Sequence, residues 1–484
     1  MKRLAGRVLA VLLCLLLLLP PGLAAGHGER NRHGGRYHNA RQTIESSEDP
    51  LAPEIVGQSE VVPCAIEGSG YASPVFQITA TQPTGITADF LTFQWFVGGS
   101  AAGEACRVPI EADGSAICTY TAYELRDRPS GVYPIYCVVS IESADGTAAQ
   151  PHSATSYTVN FIVCKGVLED TLITFSDVHE SWDNVGAAIS DTIASTGGYV
   201  PSLVIASGDY WNDYSASQDA AAISEYSESV LHRIELQLGG IRTIWIAGNH
   251  DNEVAVLQAN VETETNADFS DTEILFDDNG VIVIGLDYAD LCVSGRSADY
   301  GAEGIADSAY VRLEGALNDI SQGYHGELVV ISAHAGLYTL GVDPASKASG
   351  VSAWAGDESY NIPHSYEVVK LINRYADQMD ILFFFGHNHS RGEAEFIKCP
   401  GDTIISTVDA KAHVTETITL RFTYAHAGYL TREHNGHARY TILSWNDEAV
   451  SLETRCVAAS LSAQESAAQN PPAIIHRHAI DEAA

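Results

Sequence analysis

The hydrophobic and polar positions of the chain fall into successive regimes. Val8 to Leu19 is an apolar run behind Lys2, Arg3 and Arg7, with small residues at Ala24–Ala25. That order predicts a signal peptide over 1–25, cleaved near Ala25. From Gly26 to Pro50 apolar residues almost vanish, and 26–52 is predicted to be a disordered linker. Beyond Pro53, alternating runs rich in Val, Ile, Thr and aromatics recur at Val75–Thr79, Thr92–Val97, Ala116–Thr121, Tyr133–Ile141 and Ser156–Val163. Gly, Pro, Asp and Ser clusters separate them, so 53–164 reads as an all-β domain.

The pattern changes near Lys165. Continuous apolar runs at Thr171–Phe175, Leu203–Ala206, Thr243–Ala247, Val281–Leu286, Leu328–Ala333, Ile381–Phe385 and Ile404–Thr407 show little alternation. Between them, Trp182–Thr196, Ala220–Leu238, Ala309–Ser321 and His364–Gln378 carry helical patterns. Strands that are apolar throughout are buried on both faces, which predicts an α/β domain with helices covering its sheets. After Gly392 the helices stop, and Ala412–Tyr424, His437–Trp445 and Ala449–Arg455 are predicted to be closing antiparallel strands of a domain spanning 165–458. The Ala-, Ser- and Gln-rich stretch 459–484 reads as a disordered tail.

Composition narrows the function. The chain has 62 Asp+Glu against 26 Lys+Arg, a formal charge of −36. Long nucleic acids and anionic membrane surfaces require basic footprints and are disfavoured as partners. A small phosphorylated substrate remains compatible, because bound cations would dominate the local field. No run beyond the signal peptide is long and apolar enough to span a bilayer. Removing Cys14 with the signal leaves eight of the nine cysteines. An even count in an exported chain favours disulfides and a secreted or extracytoplasmic location. Cys106 and Cys118 flank an apparent hairpin around Asp113–Gly114 and are the favoured local pair. None has C-x-x-C spacing, so structural zinc is not expected.

The chemistry concentrates just past the apolar runs of the second domain. Asp177 and His179 follow Thr171–Phe175, and Gly208–Asp209 follows Leu203–Ala206. Gly248–Asn249–His250–Asp251 follows Thr243–Ala247, His334 follows Leu328–Ala333, and Gly386–His387–Asn388–His389 follows Ile381–Phe385. Sheet proteins gather binding groups at the carboxyl ends of their strands. A mixed Asp, Asn and His set suits Mn, Fe, Zn or Ni better than an all-oxygen calcium site. The glycines before three of these elements let the backbone turn or approach closely.

In this order the elements resemble the calcineurin-like metallophosphoesterase family, whose pattern is D-x-H, G-D, G-N-H-[DE], a lone His and G-H-x-H. The resemblance implies a layered sandwich of two central β-sheets flanked by helices, and two divalent metal ions. It implies that Asp177, His179 and His389 hold one metal and that Asn249, His334 and His387 hold the other. Asp209 would bridge them. His250 would stand off the metals as general acid or phosphate hydrogen-bond donor, and Asp251 would orient it or cap a helix. The implied activity is hydrolysis of phosphate mono- or diesters by in-line attack of a metal-bridging hydroxide. Purple acid phosphatases, which also carry an N-terminal β-sandwich, have a Tyr three residues after the bridging Asp and no His in the first motif. Here Asn212 and His179 stand at those positions, so a tyrosinate–iron centre is not expected. Tyr210, Trp211, Tyr338, Trp354, Tyr360 and His364 are candidates for an aromatic pocket wall, with loop packing the alternative. His413, His426, His434 and His437 read as scaffold or surface.

The stretches Leu91–Val97, with Trp95, and Gly131–Cys137, with its tyrosines, resemble the core-Trp strand and the tyrosine-corner strand of an immunoglobulin-like sandwich. Cys64 lies farther before Trp95 than antibody spacing requires. The expected architecture is thus an immunoglobulin-like β-sandwich ahead of the metallophosphoesterase domain. The rival function is an adhesion or carbohydrate-binding protein with a vestigial phosphoesterase domain.

Overall fold

The computed structural model describes residues 49–58, 62, 64–86, 88–141, 152–211, 220–248, 250–251, 274–286, 307–337, 365–387, 397–409, 414–431, 438–457 and 473–477. The signal-peptide stretch and most of the linker lie outside these residues. The chain divides into two compact units, Met1–Cys164 and Lys165–Ala484.

Among its described residues the first unit is built of strands, with one 3-10 turn at Tyr123–Leu125: β1 (Glu54–Gln58), β2 (Ala65–Ile66), β3 (Val75–Thr81), β4 (Phe90–Val97), β5 (Ser100–Pro109), β6 (Ser115–Thr121), β7 (Gly131–Ile141), β8 (His152–Thr155) and β9 (Val159–Cys164). One sheet has the order β1-β3-β6; the other runs β2-β9-β7-β4-β5, with β8 on β7. Alternate residues Phe76, Ile78 and Ala80 of β3 are buried, as are Leu91, Phe93 and Trp95 of β4. Trp95 stacks on Tyr120 of the opposite sheet at 5.1 Å, and its Nε1 lies 3.5 Å from Cys118 Sγ. Tyr133 donates its hydroxyl proton to the Pro129 carbonyl at 2.7 Å, which fixes the entry to β7.

The hairpin expected around Asp113–Gly114 is not one. β5 pairs with β4, whereas β6 pairs with β3 in the other sheet. The local hairpin is β4–β5, joined by Gly98–Gly99, both with positive φ as a type I′ turn demands. Turn chemistry at Asp113–Gly114 signals a reversal but not the sheet the next strand joins. A Cys106–Cys118 bridge would therefore tie the two sheets together.

The second unit contains β10 (Val167–Phe175), α1 (Trp182–Ser195), β11 (Val200–Ala206), α2 (Ala220–Leu238), β12 (Thr243–Trp245), β13 (Ile274–Asp278), β14 (Val281–Leu286), α3 (Asp307–Gly323), β15 (Leu328–Ala333), α4 (Ser365–Tyr375) and β16 (Asp380–Phe385). After these come β17 (Ile397–Lys398), β18 (Thr403–Asp409), β19 (Val414–Thr419), β20 (Thr423–His426), β21 (Arg439–Trp445), β22 (Ala449–Cys456) and β23 (Ala473–His476). Two six-stranded sheets result, β12-β11-β10-β21-β22-β23 and β13-β14-β15-β16-β20-β17. Both faces of the second sheet are buried, which is why its strands read as unbroken apolar runs. Val283, Val330 and Phe384 join Leu203, Ile205 and Leu443 of the first sheet in the core between the sheets. Ile284, Ile331 and Phe383 point the other way, into a core shared with Leu317 of α3 and Val368 and Leu371 of α4.

Three expectations change. Ile404–Thr407 is not a strand of the central sheets: among the described residues β18 pairs only with β19, in a two-stranded ribbon. Ile404 is buried and Ile405 exposed, so the ribbon has one dry face. The stretch Ala412–Tyr424 breaks into β19 and β20, and β20 runs parallel to β16 rather than antiparallel. The expected disordered tail contains β23, which extends the first sheet beside β22.

Arg477 anchors that last strand. Its Nε donates to Asp380 Oδ2 at 2.9 Å, Nη1 donates to the Asn446 carbonyl at 3.0 Å, and Nη2 donates to the Gly326 carbonyl. The paired side chains are only 5% and 11% exposed. Arg477→Ala would take the guanidinium away from the nearly buried Asp380 at the start of β16, a loss of about 3 kcal/mol. Urea unfolding of the full chain should show the lower midpoint; an unchanged midpoint would make the anchor dispensable.

Candidate metal centre

Strand direction brings the motifs together. β10, β11 and β12 are mutually parallel, as are β14, β15, β16 and β20. Each predicted element follows the carboxyl end of one of these strands. Hydrogen bonds stitch the two sheets there: His334 Nδ1 to the Ser207 carbonyl at 2.7 Å, Ser207 Oγ to Ser332 Oγ at 2.8 Å, and the Gly428 carbonyl to the Ser176 N–H at 3.1 Å.

The backbone here is strained in a specific way. Among the described residues, seven non-glycine residues have positive φ, and Asp177, His179, Glu180, Asp209 and His387 are five of them. Such outliers persist only where the surroundings over-determine them. The glycines explain the packing. A Cβ on Gly248 would lie 2.2 Å from Asp209 Oδ1, one on Gly208 would lie 2.7 Å from His334 Nδ1, and one on Gly386 would lie 2.2 Å from Ser176 Oγ.

Both aspartates present one oxygen and tether the other. Asp209 Oδ1 accepts the His250 N–H at 2.8 Å. Its Oδ2 lies 3.1 Å from His334 Nε2, 3.7 Å from His179 Nε2 and 3.8 Å from His250 Nε2. Asp177 Oδ2 accepts the His387 N–H at 2.9 Å, while Oδ1 lies 4.0 Å from His179 Nε2 and 3.9 Å from His334 Nε2. His387 Nδ1 is 3.2 Å from His334 Nε2. Two groups emerge, His179–Asp209–His250 and Asp209–His334–His387, with the ligand atoms of each within 4.8 Å of one another.

This donor set fits divalent ions. Bonds of about 2.1 Å place neighbouring ligand atoms about 3.0–3.4 Å apart in octahedral or tetrahedral coordination. Both the Asp209–His334 and His334–His387 separations lie in that range. His334 gives its Nδ1 proton to the Ser207 carbonyl, which turns Nε2 toward the carboxylates, the usual way a second partner sets a metal-binding tautomer. Burial opposes the charged form of His334, but Asp209 and Asp177 outweigh it and raise its pKa to about 9 in the metal-free protein. Burial likewise pushes the Asp209 carboxyl up, yet His334, His250 and His179 hold it well below the usual range. These carboxylates already draw positive charge from imidazoles, the role a cation would take over.

Residues 171–391 match the family model of the calcineurin-like phosphoesterases. The matched stretch lies within the second unit, and that family typically binds two divalent metals. Among solved structures, a dimetal phosphatase from Danio rerio is 13% identical and covers 60% of this chain and 99% of its own, with a TM-score of 0.39. A predicted phosphoesterase from Streptococcus pneumoniae is 11% identical over 64% of this chain and 98% of its own, with a TM-score of 0.24. Scores below 0.5 add no weight, so the family match and the side-chain geometry stand alone. No curated protein matches the chain.

Within the matched stretch, Asp177, His179, Asp209, His334 and His387 converge on one site. Asn249 and His389 lie outside the described residues, as do Asn212, Tyr338, Trp354, Tyr360, His364, His413, His434 and His437. His250, expected to stand off the metals, approaches Asp209 as closely as His179 does, edge-on to the His179 ring at 4.8 Å between centroids. Its side chain is 23% exposed, against 2% for His179 and none for His334. Asp251 spends its carboxylate on the backbone: Oδ2 accepts the N–H groups of Asp209 and Gly248, both at 2.8 Å, and Oδ1 accepts that of Tyr210 at 3.1 Å. It anchors the loop that carries Asp209. Burial and the Asp209 charge raise its pKa to about 7, against the pull of the amides. Tyr210 and Trp211 are buried, and the Tyr210 hydroxyl bonds to Ala206 and Ile246 backbone, so both are scaffold rather than pocket wall. Motif reading missed Ser176, Ser207 and Gly428, because a lone Ser or Gly carries no local signal of the loop it will meet; His426, read as scaffold or surface, is buried scaffold.

Proposed function

We propose that the chain is an exported, two-metal phosphoester hydrolase acting on phosphate mono- or diesters. The observation that carries this is Asp209 Oδ2, shared by two groups of imidazoles at the carboxyl ends of two sheets. One oxygen common to both groups suits a bridging ligand. When bound, two divalent cations would neutralise phosphoryl charge and acidify a water. The side chains do the rest. Asp177 and Asp209, each tethered through one oxygen, hold the donor atoms at fixed spacing, so no reorganisation is needed on substrate binding. His250, more open than His179 or His334, would give a proton or hydrogen bond to the leaving oxygen. His179, His334 and His387 complete the donor set around the two carboxylates.

Protein reconstituted with Mn, Fe, Zn or Ni is expected to hydrolyse an aryl phosphate monoester or bis-ester. Metal binding without turnover of either ester, under all four metals, would overturn the hydrolase reading for generic esters.

We extend the reading to the first unit as an immunoglobulin-like sandwich. What supports it is the order β1-β3-β6 against β9-β7-β4-β5, with Trp95 in the core and the Tyr133 bond ahead of Cys137. In an oxidising compartment Cys106 and Cys118 would close the open flank between β5 and β6. Peptide mapping by mass spectrometry without reduction should recover that linked pair; a different partner for Cys118 would refute it.

A further inference from the structure

We propose that Ser176 is a positioning residue for the metal centre, seated on a support built by His426 and Gly428. The inference rests on the two-metal reading above, and concerns which oxygen Asp177 offers. Ser176 and Asp177 are both fully buried. Asp177 Oδ2 is held by the His387 N–H at 2.9 Å and by the Ser176 hydroxyl. That hydroxyl also reaches the Gly428 carbonyl at 2.8 Å, so its single proton faces two acceptors and Oγ is pinned between them. The Ser176 N–H donates to the same carbonyl at 3.1 Å, and Leu430 N–H closes back on the Ser176 carbonyl at 3.0 Å. With Oδ2 tied inward, Oδ1 is the oxygen that faces His179 and His334.

The support is itself constrained. Gly428 has φ +98°, and a Cβ there would come within 2.5 Å of the Arg439 carbonyl oxygen and 2.6 Å of Tyr440 Cα. Its N–H donates to His426 Nδ1 at 2.9 Å, and His426 is buried beside Phe385, at 4.8 Å between ring centroids. Phe385 is two residues before His387. The bare Cα of Gly386 provides the room that the Ser176 hydroxyl occupies. Thus β20 and the turn after it, distant in sequence from every metal motif, hold the first aspartate from behind. Loss of partners of this kind usually weakens metal affinity about 10–100-fold while leaving the ligands present.

The test is a Mn²⁺ titration of the full chain, with free Mn²⁺ followed by electron paramagnetic resonance. The parent is expected to bind two ions. Ser176→Ala should also bind two ions at saturation, with one of the two steps weakened about 10–100-fold and the metal-free melting temperature close to the parent's. A merely structural role would lower metal-free melting and weaken both steps together, and that result would overturn the inference, as would parental affinity in both steps. Ser176→Cys keeps a donor at this position, weaker and on a larger atom, and should fall between; it carries the test if the Ala variant does not fold, and parental affinity there is again fatal. A parent that binds no Mn²⁺ would fail the two-metal reading itself, so the two failures are distinguishable.

Discussion

Asp209→Ala is expected to lose both metal ions and all turnover, whereas His250→Ala keeps both ions and loses about 10²–10⁴-fold in turnover. The contrast follows from geometry. Asp209 Oδ2 lies 3.1–3.8 Å from three imidazoles, so its removal takes a ligand from each group at once. It also leaves the His250 N–H without the oxygen it bonds at 2.8 Å. His250 offers a partly open ring whose removal leaves the Asp209–His334–His387 group intact. Counting bound metal by elemental analysis alongside turnover separates the roles. Loss of one ion in His250→Ala would make His250 a ligand, which its 3.8 Å approach to Asp209 allows. Equal metal loss in both variants would sink the bridging role of Asp209.

Asp251→Ala should act on stability before it acts on chemistry. Three backbone N–H groups, those of Asp209, Tyr210 and Gly248, converge on one fully buried carboxylate. Deleting it strands three buried donors, each worth about 1–3 kcal/mol when left unpaired. Some relaxation is available, so a loss of about 3–5 kcal/mol is expected in urea unfolding of the metal-free protein. Gly248 and Asp209 would then shift relative to each other, and metal affinity should fall with stability. A variant with parental stability and reduced turnover would instead return Asp251 to the role of orienting His250.

The metal motifs were legible because each is local: a carboxylate or imidazole within a few residues of an apolar strand. Five of the seven predicted ligands converge as that logic expects, with Asn249 and His389 outside the described residues. The function of Asp251 was not legible. Nothing in Gly248–Asn249–His250–Asp251 says whether the last carboxylate turns to the ring beside it or to amides on the neighbouring loop. Tyr210 shows the same limit: a Tyr beside a bridging Asp reads equally well as pocket wall or as scaffold, and three hydrogen bonds to Ala206 and Ile246 make it scaffold. The tail was misread for another reason. Ile474 and Ile475 are too short an apolar signal in an Ala- and Ser-rich stretch, and the strand exists because β22 offers an unpaired edge.

By itself the sequence determined the division near residue 165, the alternation that builds the second unit, and the identity of the metal-motif residues. Those depend on periodicity and on residues close together in the chain. Only the tertiary structure decided what stands behind the site. Ser176 meets Gly428 across 252 residues, His387 meets Asp177 across 210, and His334 meets Ser207 across 127. Such bonds have no sequence period, because they are set by which strand ends a sheet places side by side. They settle which oxygen of each aspartate faces the imidazoles and which nitrogen of His334 faces the carboxylates.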